Sequence, residues 1–246
     1  MKQNGGLADA KAVLLVGGLG TRLRTLVPST PKALALVGDR PFLELLVRQL
    51  RGQGVRQIVM CTGYLADQIE SEFVDGRDLG LTITYSKEPE PLGTAGALKF
   101  AQKHLEGVAE FFVMNGDSFL DVDLGQLVRF HRSHGGLATL ATVPVEDAGR
   151  YGTVRIDGSG RVLEFCEKTS NNSPGLINAG VYVFDRSIFD HIPAGPVSLE
   201  KDVFPKILDS GVYAAEQQGL FIDIGTPVDY VRAQQLLDRV GRASEE

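Results

Sequence analysis

The residues best suited to chemistry begin at Gly17-Gly18-Leu19-Gly20-Thr21-Arg22-Leu23, directly after the apolar run Ala12–Val16, with Pro31-Lys32 a short way on. Three glycines in four positions let the chain turn tightly and aim several N–H groups at one point, a nest that favours phosphate. Arg22 adds a planar fork for phosphate oxygens, and Lys32 a second point charge. A dinucleotide-binding turn would carry the full GxGxxG with an acid downstream, and a Walker loop would carry GK[ST]; the sequence has neither. Asp117 closes the apolar strand Phe111–Met114, and Asp223 lies in Phe221-Ile222-Asp223-Ile224-Gly225, so each sets a carboxylate at a strand end. A lone Asp in such a place reads as a turn or cap residue. Glu167-Lys168, at the end of a hairpin strand, reads in isolation as solvated surface charge.

Holding these residues requires a regular frame, and the first half of the chain supplies one by alternation. The apolar runs Ala12–Val16 and Phe111–Met114 predict buried strands, and Gln57–Cys61 and Leu81–Tyr85 predict two more strands. Between them, Phe42–Leu50, Leu65–Phe73 and Thr94–His104 carry helical spacing. This order predicts an α/β fold, a Rossmann-like and mostly parallel sheet flanked by helices. After a helix at Leu124–His131 the pattern changes: Ala138–Val143 alternates, and Gly152–Ile156 and Val162–Glu167 flank the hairpin signal Asp157-Gly158-Ser159-Gly160. A strand at Ala179–Phe184, a helix at Ser198–Asp209 and a closing helix at Val228–Leu237 follow. The second half therefore predicts a smaller antiparallel β insertion against the same sheet, covering a cleft.

Composition narrows the classes. The chain has 246 residues, 43% hydrophobic and 23% charged, ordinary for one globular domain. Net charge is −6 without any block of Lys or Arg, which argues against a nucleic-acid partner and a polybasic membrane patch. No apolar run approaches a membrane span. Cys61 and Cys166, outside any CxxC or Cys/His cluster, read as reduced thiols of a cytoplasmic protein.

The chain resembles the sugar-1-phosphate nucleotidyltransferases, whose first loop reads GGxGTRL followed by a Pro-Lys pair. The likeness continues in order through Leu92-Gly93-Thr94-Ala95-Gly96-Ala97, Asn115-Gly116-Asp117, Glu167-Lys168, Asn178-Ala179-Gly180 and Asp223-Ile224-Gly225-Thr226-Pro227. It covers roughly Lys11 to Leu237 and implies a single nucleotidyltransferase domain over 1–246. Residues 11–135 would mainly bind nucleotide and 136–240 mainly sugar phosphate. The resemblance implies catalytic roles for Arg22 and Lys32, and nucleotide contacts at Gly17, Gly18, Gly20, Thr21, Gly93, Thr94 and Gly96. It implies sugar-phosphate contacts at Glu167, Lys168, Asn178 and Gly152, with Glu200 and Tyr151 nearby. Thr94 is also a natural N-cap, and Glu200 a helix-starting acid. Carboxylates beside a triphosphate repel it unless a cation intervenes, and Mg²⁺ takes one or two carboxylates plus phosphate oxygens. The resemblance puts that ion on Asp117 and Asp223.

The implied reaction joins a nucleoside triphosphate to a sugar 1-phosphate and releases pyrophosphate. Details at Arg22–Val27, Pro41-Phe42-Leu43, Glu90–Thr94 and Arg150-Tyr151-Gly152 are most similar to the bacterial D-glycero-D-manno-heptose 1-phosphate guanylyltransferases, which would make the substrates GTP and that heptose phosphate. Ala95 and Phe221 depart from that subgroup and its relatives, where Gly and Trp are expected. Mannose-1-phosphate guanylyltransferase and glucose-1-phosphate uridylyl- or thymidylyltransferase are the rival assignments. A catalytically inactive, sugar-nucleotide-sensing regulatory subunit is the alternative of another class; the retained Arg22, Lys32, Asp117, Lys168 and Asp223 favour an enzyme. A homodimer is expected from the resemblance alone.

Overall fold

The computed structural model of the chain describes residues 6–149, 151–166 and 173–243, with side chains described as far as residue 236. The first half contains β1 (Lys11–Leu15), the two-residue strands β2 (Leu36–Val37) and β3 (Arg40–Pro41), and helix α1 (Phe42–Gly52). It continues with β4 (Gln57–Thr62), α2 (Ala66–Phe73), β5 (Thr82–Lys87), α3 (Gly93–Phe100), β6 (Glu110–Asn115), β7 (Ser118–Leu120) and α4 (Leu124–His134). The second half adds β8 (Ala138–Val145), β9 (Thr153–Ile156), β10 (Val162–Cys166), β11 (Gly175–Asp185), β12 (Val212–Glu216), β13 (Phe221–Asp223) and α5 (Pro227–Ala243).

Strands β5, β4, β1 and β6 lie side by side and parallel, so the loops after β1 and β6 open on one edge. Beyond β6 the same sheet turns antiparallel: β11 pairs with β6, β8 with β11, and the β9–β10 hairpin with the start of β11, while β12 returns parallel to β8. The expected fold class holds, and the antiparallel strands extend the parallel half within one sheet.

Strand alternation divides the core in two. Ala12, Leu14, Phe112 and Met114 face a layer that includes residues of α1, α2 and α4; Val13, Phe111 and Val113 face α3 and the turns after β11. Ala138–Val143 reads as alternating in sequence. Instead Ala138–Val143 are buried throughout, because Ala141 and Val143 join the first core while Ala138 and Leu140 join the second. The helix expected over Ser198–Asp209 does not form. A wide, π-type turn at Leu199–Val203 gives way to short 3₁₀ turns at Phe204–Lys206 and Leu208–Ser210. Pro205 has no N–H to give and crowds the carbonyl four residues back, which breaks a helix at this point.

Candidate active site

The loop after β1 forms the floor of a cleft of about 410 Å³, lined by Gly17, Gly18, Gly20, Thr21, Arg22, Lys32, Gly93, Thr94 and Asp117 among others. A Cβ on Gly18 would meet no atom within 4 Å, so its backbone is open to a ligand. Gly20 has φ +58°, and a Cβ there would lie 3.0 Å from the Lys32 Cβ; only glycine lets Lys32 tuck so close beneath the loop. Arg22 is exposed at the cleft rim. Arg24, two residues on, is spent on the Tyr64 ring, 4.5 Å from its centroid.

Asp117 occupies the turn between β6 and β7, and the β7–β13 ladder pairs Ser118 with Asp223, bringing the second carboxylate alongside. The Ile224 N–H donates to the Asp117 carbonyl at 3.0 Å and fastens the crossing. Lys32 Nζ sits 2.6 Å from Asp117 Oδ2. Burial first, and then the charge of Asp117, raise the Asp223 pKa above its ordinary value, against the opposing pull of Lys32 and the Gly225 N–H. Two acids thus press on each other beside an anion nest, with an ammonium group already drawn to one of them. That donor set fits Mg²⁺, which needs one or two carboxylates and completes its shell with phosphate and water. Among the described residues there is no group of three or more His, Cys, Asp or Glu that could hold a metal ion.

The start of α3 corrects two expectations. Thr94 is not an N-cap: the helix begins at Gly93, and the Thr94 hydroxyl accepts the Leu199 N–H at 2.8 Å while donating to Glu200 at 3.0 Å. The clearance at Gly96 is filled by the chain itself, since a Cβ there would collide with the Gly195 carbonyl, and Gly96 does not line the cleft. Gly93 does line it, at φ +71°, with the Val197 carbonyl 2.6 Å from where its Cβ would be. Of the sugar-side residues, Asn178 sits beside a bulge in β11, its Oδ1 accepting the Gly180 N–H at 3.0 Å. Gly152 faces the Cys166 carbonyl, and neither it nor Asn178 lines the cleft. Glu167, Lys168 and Arg150 lie outside the described residues.

The nucleotidyl transferase family matches residues 11–239. The chain belongs to the nucleotidyl transferase family. It is 41% identical over 224 residues to the mannose-1-phosphate guanylyltransferase catalytic subunit beta of Drosophila melanogaster, covering 90% of this chain and 61% of that protein. It is 39% identical over 240 residues to a probable mannose-1-phosphate guanylyltransferase of Oryza sativa subsp. japonica, covering 95% and 66%. The chain spans about three fifths to two thirds of the length of the curated relatives it matches. Among solved structures, HddC from Yersinia pseudotuberculosis, complexed with GMP-PN, superposes with TM-score 0.83 at 33% identity, covering 93% of this chain and 99% of that one. A putative glucose-1-phosphate thymidylyltransferase from Bacillus anthracis gives TM-score 0.82 at 25% identity, covering 92% and 94%.

In this nucleotidyl transferase one acid escaped the sequence reading. Glu88, just past β5, lines the cleft with its Oε1 against Gly17 and Gly63, where a Cβ on either glycine would approach within 2.6 Å and 2.5 Å. The Leu92 N–H donates to its Oε2 at 3.2 Å. Burial raises its pKa, and no cation of the site pulls the other way. The available signal was an acid between a strand and the Pro91-Leu92-Gly93 turn. A second cavity, about 540 Å³, is walled by Asp147, Tyr151, Phe221, Asp223 and Arg232. Tyr151 and Phe221 meet there edge to face, with centroids 6.0 Å apart. No helix among the described residues is long and apolar enough to cross a membrane.

Proposed function

We propose that the chain is an enzyme that transfers the guanylyl group of GTP to a manno-configured sugar 1-phosphate, releasing pyrophosphate and yielding a GDP-sugar for glycan synthesis. What carries the reading is convergence: an anion nest, Arg22, Lys32 and Asp117 line one cleft, and the β7–β13 register sets Asp223 beside Asp117 at its edge. The sugar-phosphate oxygen attacks the α-phosphorus in line, the new O–P bond forms, and the bond to the β-phosphate oxygen breaks. The nucleophile is already an anion, so positioning and charge neutralisation do the work and no general base is needed. Nest N–H groups and Arg22 hold the departing pyrophosphate, and Lys32 neutralises charge on the transferred phosphate. Mg²⁺, when bound by Asp117 and Asp223, supplies Lewis-acid neutralisation of the phosphate oxygens. Lys168 and Glu167 are assigned, by motif, to the sugar phosphate and sugar hydroxyls.

Glu88 supports guanine as the base. Glu88 is half-buried, and its Oε1, without a cation, favours hydrogen-bond donors that reach it from the cleft. Guanine offers two neighbouring donors, the ring N1–H and the amino N2–H₂, where adenine and the pyrimidines do not present that pair. The names of the curated relatives favour mannose as the sugar, and the motif details favour the heptose. A grid of GTP, ATP, CTP, UTP and dTTP against mannose, heptose and glucose 1-phosphates, read by pyrophosphate release with Mg²⁺, decides among them. GTP dependence lost by about 10²-fold or more in Glu88→Gln is the expected result, because a site built for two donors rejects poorly matched partners strongly. UTP or dTTP preference in the native chain refutes the guanine reading. Silence across the grid, from folded protein that still binds nucleotide, refutes catalysis and leaves a sensing subunit.

A further inference from the structure

Between the cleft and the antiparallel half of the sheet runs a line of polar side chains that the phosphate chemistry leaves unused. At its centre is Glu200, on the wide turn after Ser198. Its Oε2 accepts the hydroxyls of Thr94 at 3.0 Å and Ser198 at 2.9 Å, and its Oε1 faces the Tyr182 hydroxyl at 3.5 Å. The Tyr182 oxygen accepts an N–H of the Asn178 amide at 2.9 Å, and the Asn115 amide faces the same hydroxyl.

Both ends of this line are stiff. Thr94 is clamped to the Leu199 N–H, and Gly180, at φ +76°, locks the β11 bulge against Ser118 and Asn115. Tyr182 is fully buried, stacked on Phe184 at 5.5 Å and packed against Phe204. A phenol held in such a place keeps its hydroxyl between Glu200 and Asn178, so the position of each of these partners bears on the other. Hydrogen bonds to an ionised carboxylate are also stronger than neutral ones.

We infer that Glu200 and Tyr182 are positioning residues that couple the two substrate subsites. Thr94 lines the nucleotide cleft; Asn178 stands on the side assigned to the sugar phosphate, so the inference rests on the reading above. Nucleotide seated against Thr94 fixes Glu200, Glu200 fixes the phenol, and the phenol sets the Asn178 amide. By linkage the effect is reciprocal: each substrate binds more tightly when the other is present.

The test is calorimetric titration of an unreactive GTP analogue with an α,β-methylene bridge, with and without saturating mannose 1-phosphate or heptose 1-phosphate, in Mg²⁺ buffer. In the native chain the sugar phosphate is expected to tighten nucleotide binding at least about fivefold, the lower end of typical coupling. In Tyr182→Phe and in Glu200→Gln that ratio falls to about one, while nucleotide affinity alone changes by no more than about twofold in Tyr182→Phe. A merely structural role would lower the melting temperature and both affinities together and leave the ratio intact; that result overturns the inference. If Glu200→Gln does not fold, Tyr182→Phe decides alone. Pyrophosphate release by a native chain that shows no such ratio overturns the coupling and leaves the function standing. A native chain that neither binds the analogue nor releases pyrophosphate overturns both.

Discussion

Alanine at Gly18 and alanine at Gly180 should fail in opposite ways. Gly18 has a φ that any residue tolerates and nothing within 4 Å of a built Cβ. Its replacement should leave stability within about 0.5 kcal/mol, as at most open surface positions. The methyl group would nevertheless stand where phosphate oxygens must approach the nest, and nucleotide affinity should fall at least about tenfold, ~1.4 kcal/mol. Gly180 is the reverse. At φ +76° an L-residue costs about 1–2 kcal/mol. Its Cβ would also lie 2.7 Å from Ser118 Oγ and 2.8 Å from Asn115 Nδ2, inside a packed bulge. Overpacking of that kind adds about 1–3 kcal/mol. The sum is roughly 2–5 kcal/mol, and at about 2–4 °C per kcal/mol for a chain of this size the melting temperature should drop by roughly 4–20 °C. Urea unfolding and nucleotide titration on both variants separate the two effects. A destabilised Gly18→Ala, or a Gly180→Ala that melts within about 2 °C of the native chain, would refute the division into ligand-facing and clearance glycines.

Two further outcomes are expected. Lys32→Met removes the ammonium 2.6 Å from Asp117 and leaves two carboxylates facing each other; turnover should fall by about 10²–10³, and Mg²⁺ should raise its melting temperature more than it does for the native chain. Equal Mg²⁺ shifts in both proteins would count against the shared cation site. Burial lowers the pKa of His131 below 6.5, while Glu110 and Asp185 pull the other way. A depressed histidine stabilises fully above pH 6.5 and loses that contribution as pH falls through its folded-state value. His131→Gln should therefore flatten the stability profile below pH 6.5 in denaturant titrations, and an unchanged acid limb would exclude His131 as its source.

The parts of the site fixed by local chemistry were legible in the sequence. The apolar run before Gly17 had to be a strand, and a glycine nest after it had one place to open. Asp117 followed from the same logic at β6. What escaped depends on pairing across the fold. Strands β7 and β13 have three residues each, too short for any period to show, so only the family resemblance put Asp223 with Asp117, and the register that joins them was not legible. Gly93 and Gly96 suggested room for a base, but the chain at 195–197 takes part of that room, a contact no local pattern encodes. Glu88 stands in a charged, proline-rich turn that no local pattern singles out; its meaning appears only when Gly17 and Gly63 close over it. Pro205 was visible and should have ended the helix expected over Ser198–Asp209.

The β7–β13 ladder also sets a schedule. Asp117 and Asp223 are 106 positions apart (223 − 117), and they meet only when β13 docks on β7. On a ribosome adding about 5–20 residues per second, the glycine nest, Arg22, Lys32 and Asp117 exist for roughly 5–20 s before the second carboxylate is made. During that interval Lys32 is the counter-ion within reach of Asp117. The residues of the glycine nest are thus made well before the second carboxylate, which is set in place last, by the strand that leads into the closing helix.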